Sequence, residues 1–338
     1  MKIIAMDIGG ANIKIFHIAD ALCEYKQYYF PMWKKKNKFM SFLRQLTERA
    51  NLNADAYIIT MTAELCDCFK DRREGVTFIL NALKEILDGK IFVFSNHPNQ
   101  NLNLLDTDDA MRFPYSVASA NFMATAKYIS KFEKNAIIID IGSTTTDIIP
   151  IKDGKILAHR TDFERLKNDE LVYTGVLRTN LISISNKIKF KGKNLKISAE
   201  YFANTGDVYR SLGKISENEY TSETSDGKGK STIECIRRIA RTVCCDVSES
   251  EIYKIYDASE RKSKISKEEV IQIAKYFMAE QIKTINRAIE RLEKKYKIKN
   301  LLIIGAGKFL YKDLNASPKY GDLSAVKALY FLTKDLQI

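Results

Sequence analysis

Two acidic–glycine strings, Asp7-Ile8-Gly9-Gly10 and Asp140-Ile141-Gly142-Ser143, stand 133 residues apart, each ending an apolar run, Lys2 to Met6 and Ala136 to Ile139. Glycine at a tight turn exposes successive backbone N–H groups, and that concavity suits phosphate oxygens without any side-chain charge. A facing pair of such turns can hold a diphosphate. The first turn carries Gly9, Gly10 and Asn12 and is followed by Lys14, whose ammonium can sit on a bridging or terminal oxygen. The second offers the hydroxyls of Ser143, Thr144, Thr145 and Thr146. Asp7, Asp140 and Asp147 fall beside the turns, where carboxylates repel phosphate unless a cation intervenes. Mg²⁺ held largely through water resolves that conflict, with these three as metal candidates and Lys14, Asp140 and Asp147 as catalytic candidates. In a plainer reading Asp7 and Asp140 cap their turns and touch no metal. A third glycine turn, Gly305-Ala306-Gly307, ends the run Leu301–Ile304 and adds Gly305 and Gly307 to the phosphate contacts.

Positioning such groups requires strands that end at the turns. Aligning the two strings sets Lys14 opposite Asp147 and Ile15 opposite Ile148, a repeat that suggests duplicated domains facing each other, unless two hairpins are alike by chance. Between them, strands at Tyr57 to Ile59 and Ile91 to Phe94 alternate with a helix around Phe78 to Leu87, which favours a mixed or parallel sheet flanked by helices. Ser266 with Glu269 opens a long helix as a capping box, and Val270, Ala274, Phe277, Met278, Ile285, Ile289 and Leu292 form its apolar stripe. Asp322 is expected to cap a terminal helix through Leu323, Val326 and Leu329. The polar stretch 216–231 reads as a mobile lid or a surface linker.

A chain of 338 residues with 45% hydrophobic and 28% charged residues has room for about two domains and is not disordered throughout. Its net charge of +12 allows an anionic partner, yet lysines interleaved with glutamates, as at Glu290 to Lys295, fit a solvated surface. No stacking-aromatic motif interleaves with the basic residues, which argues against nucleic acid. None of the six cysteines forms a C-x-x-C pair or zinc spacing with a histidine, which fits a reducing cytosol. Asp7 interrupts the first apolar run, and no run approaches membrane-spanning length, so a cytoplasmic protein with no membrane partner is expected. The oligomeric state is left open.

The strings Ile4-Ala5-Met6-Asp7-Ile8-Gly9-Gly10-Ala11-Asn12-Ile13-Lys14, Ile139-Asp140-Ile141-Gly142-Ser143-Thr144-Thr145-Thr146-Asp147-Ile148 and Ile303-Ile304-Gly305-Ala306-Gly307 resemble the two phosphate motifs and the adenosine-side glycine motif of the actin/Hsp70/sugar-kinase superfamily, in order and spacing. Further strings resemble its hydantoinase/oxoprolinase-related branch, and within it the archaeal proteins of the tetrahydromethanopterin-linked one-carbon pathway. They are Thr60-Met61-Thr62-Ala63-Glu64-Leu65, the stretch Ala118 to Ala126, Tyr173-Thr174-Gly175-Val176-Leu177-Arg178-Thr179, and Ala203-Asn204-Thr205-Gly206-Asp207-Val208.

The resemblance implies an α/β fold of two duplicated actin-like, ribonuclease-H-like domains with a ligand cleft between them. The first would span residues 1–125, with a C-terminal helix 322–338 packing back on it. The second would span 130–320, with a polar insertion over 155–260. It also implies a transferase of methanofuran biosynthesis that joins (5-aminomethyl-3-furyl)methyl diphosphate to γ-glutamyltyramine through an ether bond and releases diphosphate. An ATP-dependent kinase or amidohydrolase is the alternative, and ATP is left open as a cofactor beside Mg²⁺. Asp162, Glu164 and Asp207 are candidates to take the phenol proton. Arg178 is the preferred partner for the γ-glutamyl carboxylate, ahead of Arg165 and Lys167, because guanidinium matches a carboxylate in two-pronged geometry.

Overall fold

The computed structural model describes residues 1–19, 22–97, 103–248 and 263–334. Residues 249–260 of the expected insertion and 335–338 of the expected terminal helix lie outside them. The chain forms two compact units, one of residues 1–136, 149–167 and 322–338, the other of 137–148 and 168–321. The start of the expected insertion, up to residue 167, therefore clusters with the first unit rather than the second.

The first unit is built on strands β1 (Ile3–Ile8), β2 (Asn12–Ala19), β3 (Leu22–Tyr29), β4 (Ala56–Met61), β5 (Lys90–Phe94) and β6 (Leu104–Leu105), in the order β3-β2-β1-β4-β5-β6. Strands β1, β4 and β5 are parallel to one another, and β2 and β3 return antiparallel. Every residue of β4 is buried, as expected for a strand covered on both faces. Alternation along β1 divides its side chains. Ile4, Met6 and Ile8 pack with Val76, Ile79 and Leu83 of the helix Arg72–Ile86. Ala5 packs on the other side, with Ala124 of the helix Asn121–Ser130 and Val326 and Leu329 of the helix Ala325–Lys334. Phe16 meets Tyr330 edge-on at 5.1 Å. The terminal helix starts at Ala325, and the Asp322 carbonyl instead accepts from Lys327 Nζ at 2.8 Å.

A second main sheet comprises β7 (Ala136–Ile141), β8 (Thr146–Lys152), β10 (Leu171–Val172) and β15 (Leu301–Ile304), with the short β9 (Lys155–Ile156), which clusters with the first unit, on β8. Its order, β10-β8-β7-β15, repeats β3-β2-β1-β4. In both sheets the hairpin's second strand carries an antiparallel neighbour and its first strand a parallel one. Among the described residues two small ladders accompany it, β11 (Lys187–Phe190) with β12 (Lys193–Lys196) and β13 (Asp246–Val247) with β14 (Lys264–Ile265). The helix Lys267–Tyr296 opens with the expected capping box, Ser266 N–H donating to Glu269 at 2.9 Å and Glu269 N–H to Ser266 Oγ at 3.2 Å. Its stripe serves two cores, Val270, Ala274 and Phe277 in one and Ile285, Ile289 and Leu292 in the other, with Met278 partly buried against both.

The polar stretch 216–231 is tied to the second unit at several points. Tyr220 is buried and donates to Asn204 Oδ1 at 2.7 Å and Asp207 Oδ1 at 3.1 Å. Ser225 donates to the Phe202 carbonyl at 2.6 Å, and Arg238 reaches Asp226 at 3.1 Å. Several of its polar groups thus find partners inside the protein, while residues 216–219 and 226–229 stay exposed. Beneath it, Arg238 Nε meets Asp207 Oδ1 at 2.8 Å, both side chains at or below 1% exposure. Among the described residues no helix is long and apolar enough to cross a membrane. Because removing one partner of a buried pair strands the other charge, Asp207→Ala is expected to lower unfolding free energy by about 3–5 kcal/mol. Urea denaturation measures the loss, and a change below about 1 kcal/mol would contradict the pairing.

Candidate active site

In the first unit, Gly9 N–H closes the β1–β2 turn onto the Asn12 carbonyl at 2.9 Å. A Cβ on Gly9 would stand 2.7 Å from that oxygen, so only glycine fits without a shift. One residue before the turn region, Asp7 pairs across the hairpin with Lys14, and Lys14 Nζ lies 2.9 Å from Asp7 Oδ2. Asp7 is 1% exposed while Lys14 is 32% exposed, so the carboxylate anchors an ammonium that still reaches solvent. Asp7 Oδ1, Asn12 Oδ1 and, in register with Asp7 on β4, Thr60 Oγ1 are buried without a hydrogen-bond partner.

The loop after β4 lies against this turn. Thr62 N–H donates to the Ile8 carbonyl at 3.0 Å, and a Cβ on Gly10 would approach Cys66 Sγ to 2.9 Å. Between them, Glu64 is 1% exposed; Ser119 Oγ donates to its Oε1 at 2.9 Å, and its Oε2 has no partner. Burial pushes the Glu64 carboxyl up to about 7; its backbone, Ser119 and Arg72 oppose the rise and Asp162 adds to it. Gly75, in the first turns of the helix Arg72–Ile86, lies so close that a Cβ would come within 2.6 Å of the Glu64 carbonyl oxygen. Arg72 reaches Asp162 at 3.3 Å, Arg165 reaches it at 3.6 Å, and the Arg165 guanidinium covers the Phe122 ring at 3.7 Å. Asp162 and Arg165 are thus tied into one cluster of the first unit. Glu164 is exposed and bound by Thr161.

The second unit repeats the closure, Gly142 N–H to the Thr145 carbonyl at 2.9 Å. Over it folds the segment 174–179. Val176 N–H donates to the Gly142 carbonyl, and Leu177 and Arg178 N–H donate to that of Ser143, at 3.0–3.1 Å. These bonds occupy the carbonyls that would repel an anion. Gly175 lies so near that a Cβ would come within 2.5 Å of the Ser143 and Thr144 backbone. Arg178 also donates to Thr144 Oγ1 at 3.3 Å, so the guanidinium expected on a substrate carboxylate stands on the turn itself. The third turn joins them: Gly307 N–H donates to the Ile141 carbonyl at 2.9 Å, and a Cβ on Gly305, at φ +84°, would lie 2.4 Å from Asp140 Oδ1.

Of the residues expected in the second unit, Asp140, Gly142, Ser143, Thr144, Thr145, Arg178, Gly305 and Gly307 come together around the turn. Asp147, on β8, lies beside Leu171 of β10. Two expectations are corrected. Thr146 is fully buried and its hydroxyl donates inward to the Thr174 carbonyl at 2.7 Å, so it braces the segment rather than facing a ligand. Asp207 is held by Arg238 and Tyr220 in the core and is unavailable to a substrate. Gln281 was absent from the expected set. It interrupts the apolar stripe of its helix, and its amide donates to Thr174 Oγ1 and the Gly175 carbonyl, both at 2.8 Å. Glu64 was also missed, although a lone carboxylate between Ala63 and Leu65 just after a buried strand is a legible anomaly. Asp7 belongs to one unit and Asp140 and Asp147 to the other. Among the described residues no three His, Cys, Asp or Glu side chains gather as a metal site by themselves.

The turns and sheets make this an α/β protein, and the chain belongs to the hydantoinase/oxoprolinase family, whose model matches residues 55–317. It is 36% identical over 346 residues to a (4-{4-[2-(gamma-L-glutamylamino)ethyl]phenoxymethyl}furan-2-yl)methanamine synthase of Methanocaldococcus jannaschii, covering 100% of this chain and 98% of that protein. A synthase of the same name from Methanococcus vannielii is 41% identical over 189 residues, 56% of this chain and 78% of that protein. Among solved structures, nucleotide-free acetone carboxylase superposes with a TM-score of 0.52 at 11% identity, covering 98% of this chain and 70% of that one, a likeness of fold.

Glu64 gives the site a signature in stability. At low pH the folded and unfolded chains both carry its proton. As pH rises from about 4.5 towards about 7 the unfolded chain ionises first, so stability falls, by on the order of 3 kcal/mol once both are ionised. Glu64→Gln stays neutral and still accepts from Ser119. It is expected to exceed the wild type in stability by that order at pH 8 and to match it at pH 4 in urea melts. An equal difference at both pH values would refute the buried ionisation.

Proposed function

We propose that the protein is a methanofuran-biosynthesis transferase that joins the phenol oxygen of γ-glutamyltyramine to the furan-methyl carbon of (5-aminomethyl-3-furyl)methyl diphosphate. The reading is carried by the identity of 36%, spanning the whole chain, to a relative whose name states an aryl furan-methyl ether as product. In the reaction the furan-methyl carbon–oxygen bond breaks, the electron pair leaves with diphosphate, the phenol oxygen bonds to carbon and its proton departs. The electron-rich ring delocalises positive charge at the carbon, so the charge gathering on diphosphate sets the barrier.

Each glycine turn supplies groups suited to that charge. In the second unit these are the turn backbone at 142–145, the Ser143 and Thr144 hydroxyls, and Arg178, whose fork is planar and permanently charged. In the first unit the turn carries its own cation, Lys14, steadied by Asp7. The orphaned oxygens Asp7 Oδ1, Asn12 Oδ1 and Thr60 Oγ1 are hard donors of the kind Mg²⁺ takes, and Asp140 and Asp147 are the carboxylates of the second hairpin. Few protein carboxylates and several waters suit that ion, which supplies positive charge to phosphate oxygens when bound.

The test mixes the protein with Mg²⁺ and both substrates and follows the ether by mass spectrometry. Product and diphosphate are expected in equal amounts. Folded protein that makes neither overturns the reading, as does thermal stabilisation by Mg²⁺ with ATP and none with Mg²⁺ and diphosphate. Lys14→Ala and Asp140→Asn are expected to fold and to lose about 10²–10³ in kcat. Full activity in either shows that the residue has no part in diphosphate departure.

A further inference from the structure

We propose that Ser119 and Glu64 form the proton route of this reaction, Ser119 Oγ taking the phenol proton while its own passes to Glu64 Oε1. The inference rests on the transferase reading and names the acceptor which that reading lacks.

Four observations converge on the pair. The 2.9 Å hydrogen bond from Ser119 Oγ to Glu64 Oε1 already aligns the second transfer. Ser119 is partly exposed whereas Glu64 is not, so the hydroxyl is the member a substrate can touch and Glu64 acts through it. Ser119 sits at φ +49°, a left-handed backbone that serine adopts at a cost, directly after Ala118, which bridges Met61 at the end of β4. Finally, both residues stand at the carboxyl end of β4, on the side where the Gly9–Gly10 turn follows β1 and Thr62 lies against Gly9. Open α/β sheets bind ligands at that end.

The charge environment suits a proton acceptor. Arg72, on the adjoining helix, favours the Glu64 carboxylate, and Asp162 opposes it; Asp162 is itself tied to Arg72 and Arg165. Glu64 Oε2 has no donor to hold the charge, so the group gains a proton readily at near-neutral pH. The balance is complete without another reagent. The phenol loses its proton to Ser119, Ser119 gives its own to Glu64, the phenol oxygen bonds to the furan-methyl carbon, and diphosphate leaves with the electron pair. Glu64 ends the turnover as a carboxylic acid and returns its proton to solvent by the same route.

The test compares ether formation by the wild type, Glu64→Gln and Ser119→Gly, with γ-glutamyltyramine and with a ring-fluorinated analogue whose phenol is more acidic. Glycine suits the left-handed backbone at position 119 better than serine does, so Ser119→Gly is expected to remain folded, with thermal melting as the check. With the ordinary acceptor, both variants should lose about 100-fold or more in kcat, with KM changed little. The wild-type kcat/KM should rise with pH through about 7, and that rise should vanish in Glu64→Gln. With the fluorinated acceptor most of the lost rate should return, an effect that a merely structural role would not produce. If the wild type forms ether while either variant stays within about threefold of it, or loses the same factor with both acceptors, the proton route is wrong and the transferase reading stands. If the wild type forms no ether, both fall.

Discussion

One backbone hydrogen bond, repeated in each unit, governs the arrangement of everything around it. Gly9 N–H to Asn12 and Gly142 N–H to Thr145, each at 2.9 Å, turn the chain back within three residues and present the peptide groups of the turn together. The bond is possible only where other atoms can come very near the backbone. In the first unit the restriction falls on Gly9 itself. In the second it falls on Gly175, whose missing side chain lets segment 174–179 lie on the turn, whereas a Cβ on Gly142 would meet its nearest neighbour at an acceptable 3.4 Å. The same geometry is thus reached by two routes, from inside the turn and from above it.

A turn that must hold its shape needs support that does not yield, and the second unit provides it through buried polar side chains. Tyr209 donates to Gln281 at 2.7 Å, Gln281 to Thr174 and Gly175, Thr205 to the Gly175 carbonyl at 2.8 Å, and Thr146 to the Thr174 carbonyl. Each group would cost free energy if left without its partner, so the network has few alternative arrangements. Burial raises the Tyr209 hydroxyl well above the ordinary phenol range, which keeps it a neutral donor to Gln281. Gly175 is held from three directions, and the carbonyls of Gly142 and Ser143 are held through its neighbours.

The two hairpins differ where their charges stand. Asp7 faces Lys14, a neutralised pair with one end in the core, while the aligned positions of the second hairpin are both carboxylates, Asp140 and Asp147. Similar turns therefore carry different side-chain sets, a carboxylate with its cation in one unit and two carboxylates in the other. Glu64 adds a third case. It is a buried carboxyl with one side-chain hydrogen-bond donor, whose properties follow from burial more than from any neighbouring charge.

Residue order by itself determined the strand-ending glycine turns, their 133-residue repeat, the capping box at Ser266 and the apolar stripe behind it, because these rest on periodicity and on near-neighbour backbone chemistry. The resemblance carried by the further strings, Thr60 to Leu65, Ala118 to Ala126, Tyr173 to Thr179 and Ala203 to Val208, likewise pointed to the family whose model the chain matches. Tertiary structure decided which polar residues stay accessible beside the turns and which brace the fold. Thr146 and Asp207 looked equivalent to Thr144 and Asp162 as strings of letters, but only burial among Thr174, Arg238 and Tyr220 separates them. The stretch 216–231 had the composition of a mobile loop, yet its hydroxyls and charges find partners brought from residues 202–207 and 238. Glu64 and Ser119, 55 residues apart, meet only because Ala118 lies beside Met61. The division has one physical cause: local chemistry sets turns and caps, while solvation and partnership of polar groups depend on what distant segments bring to them.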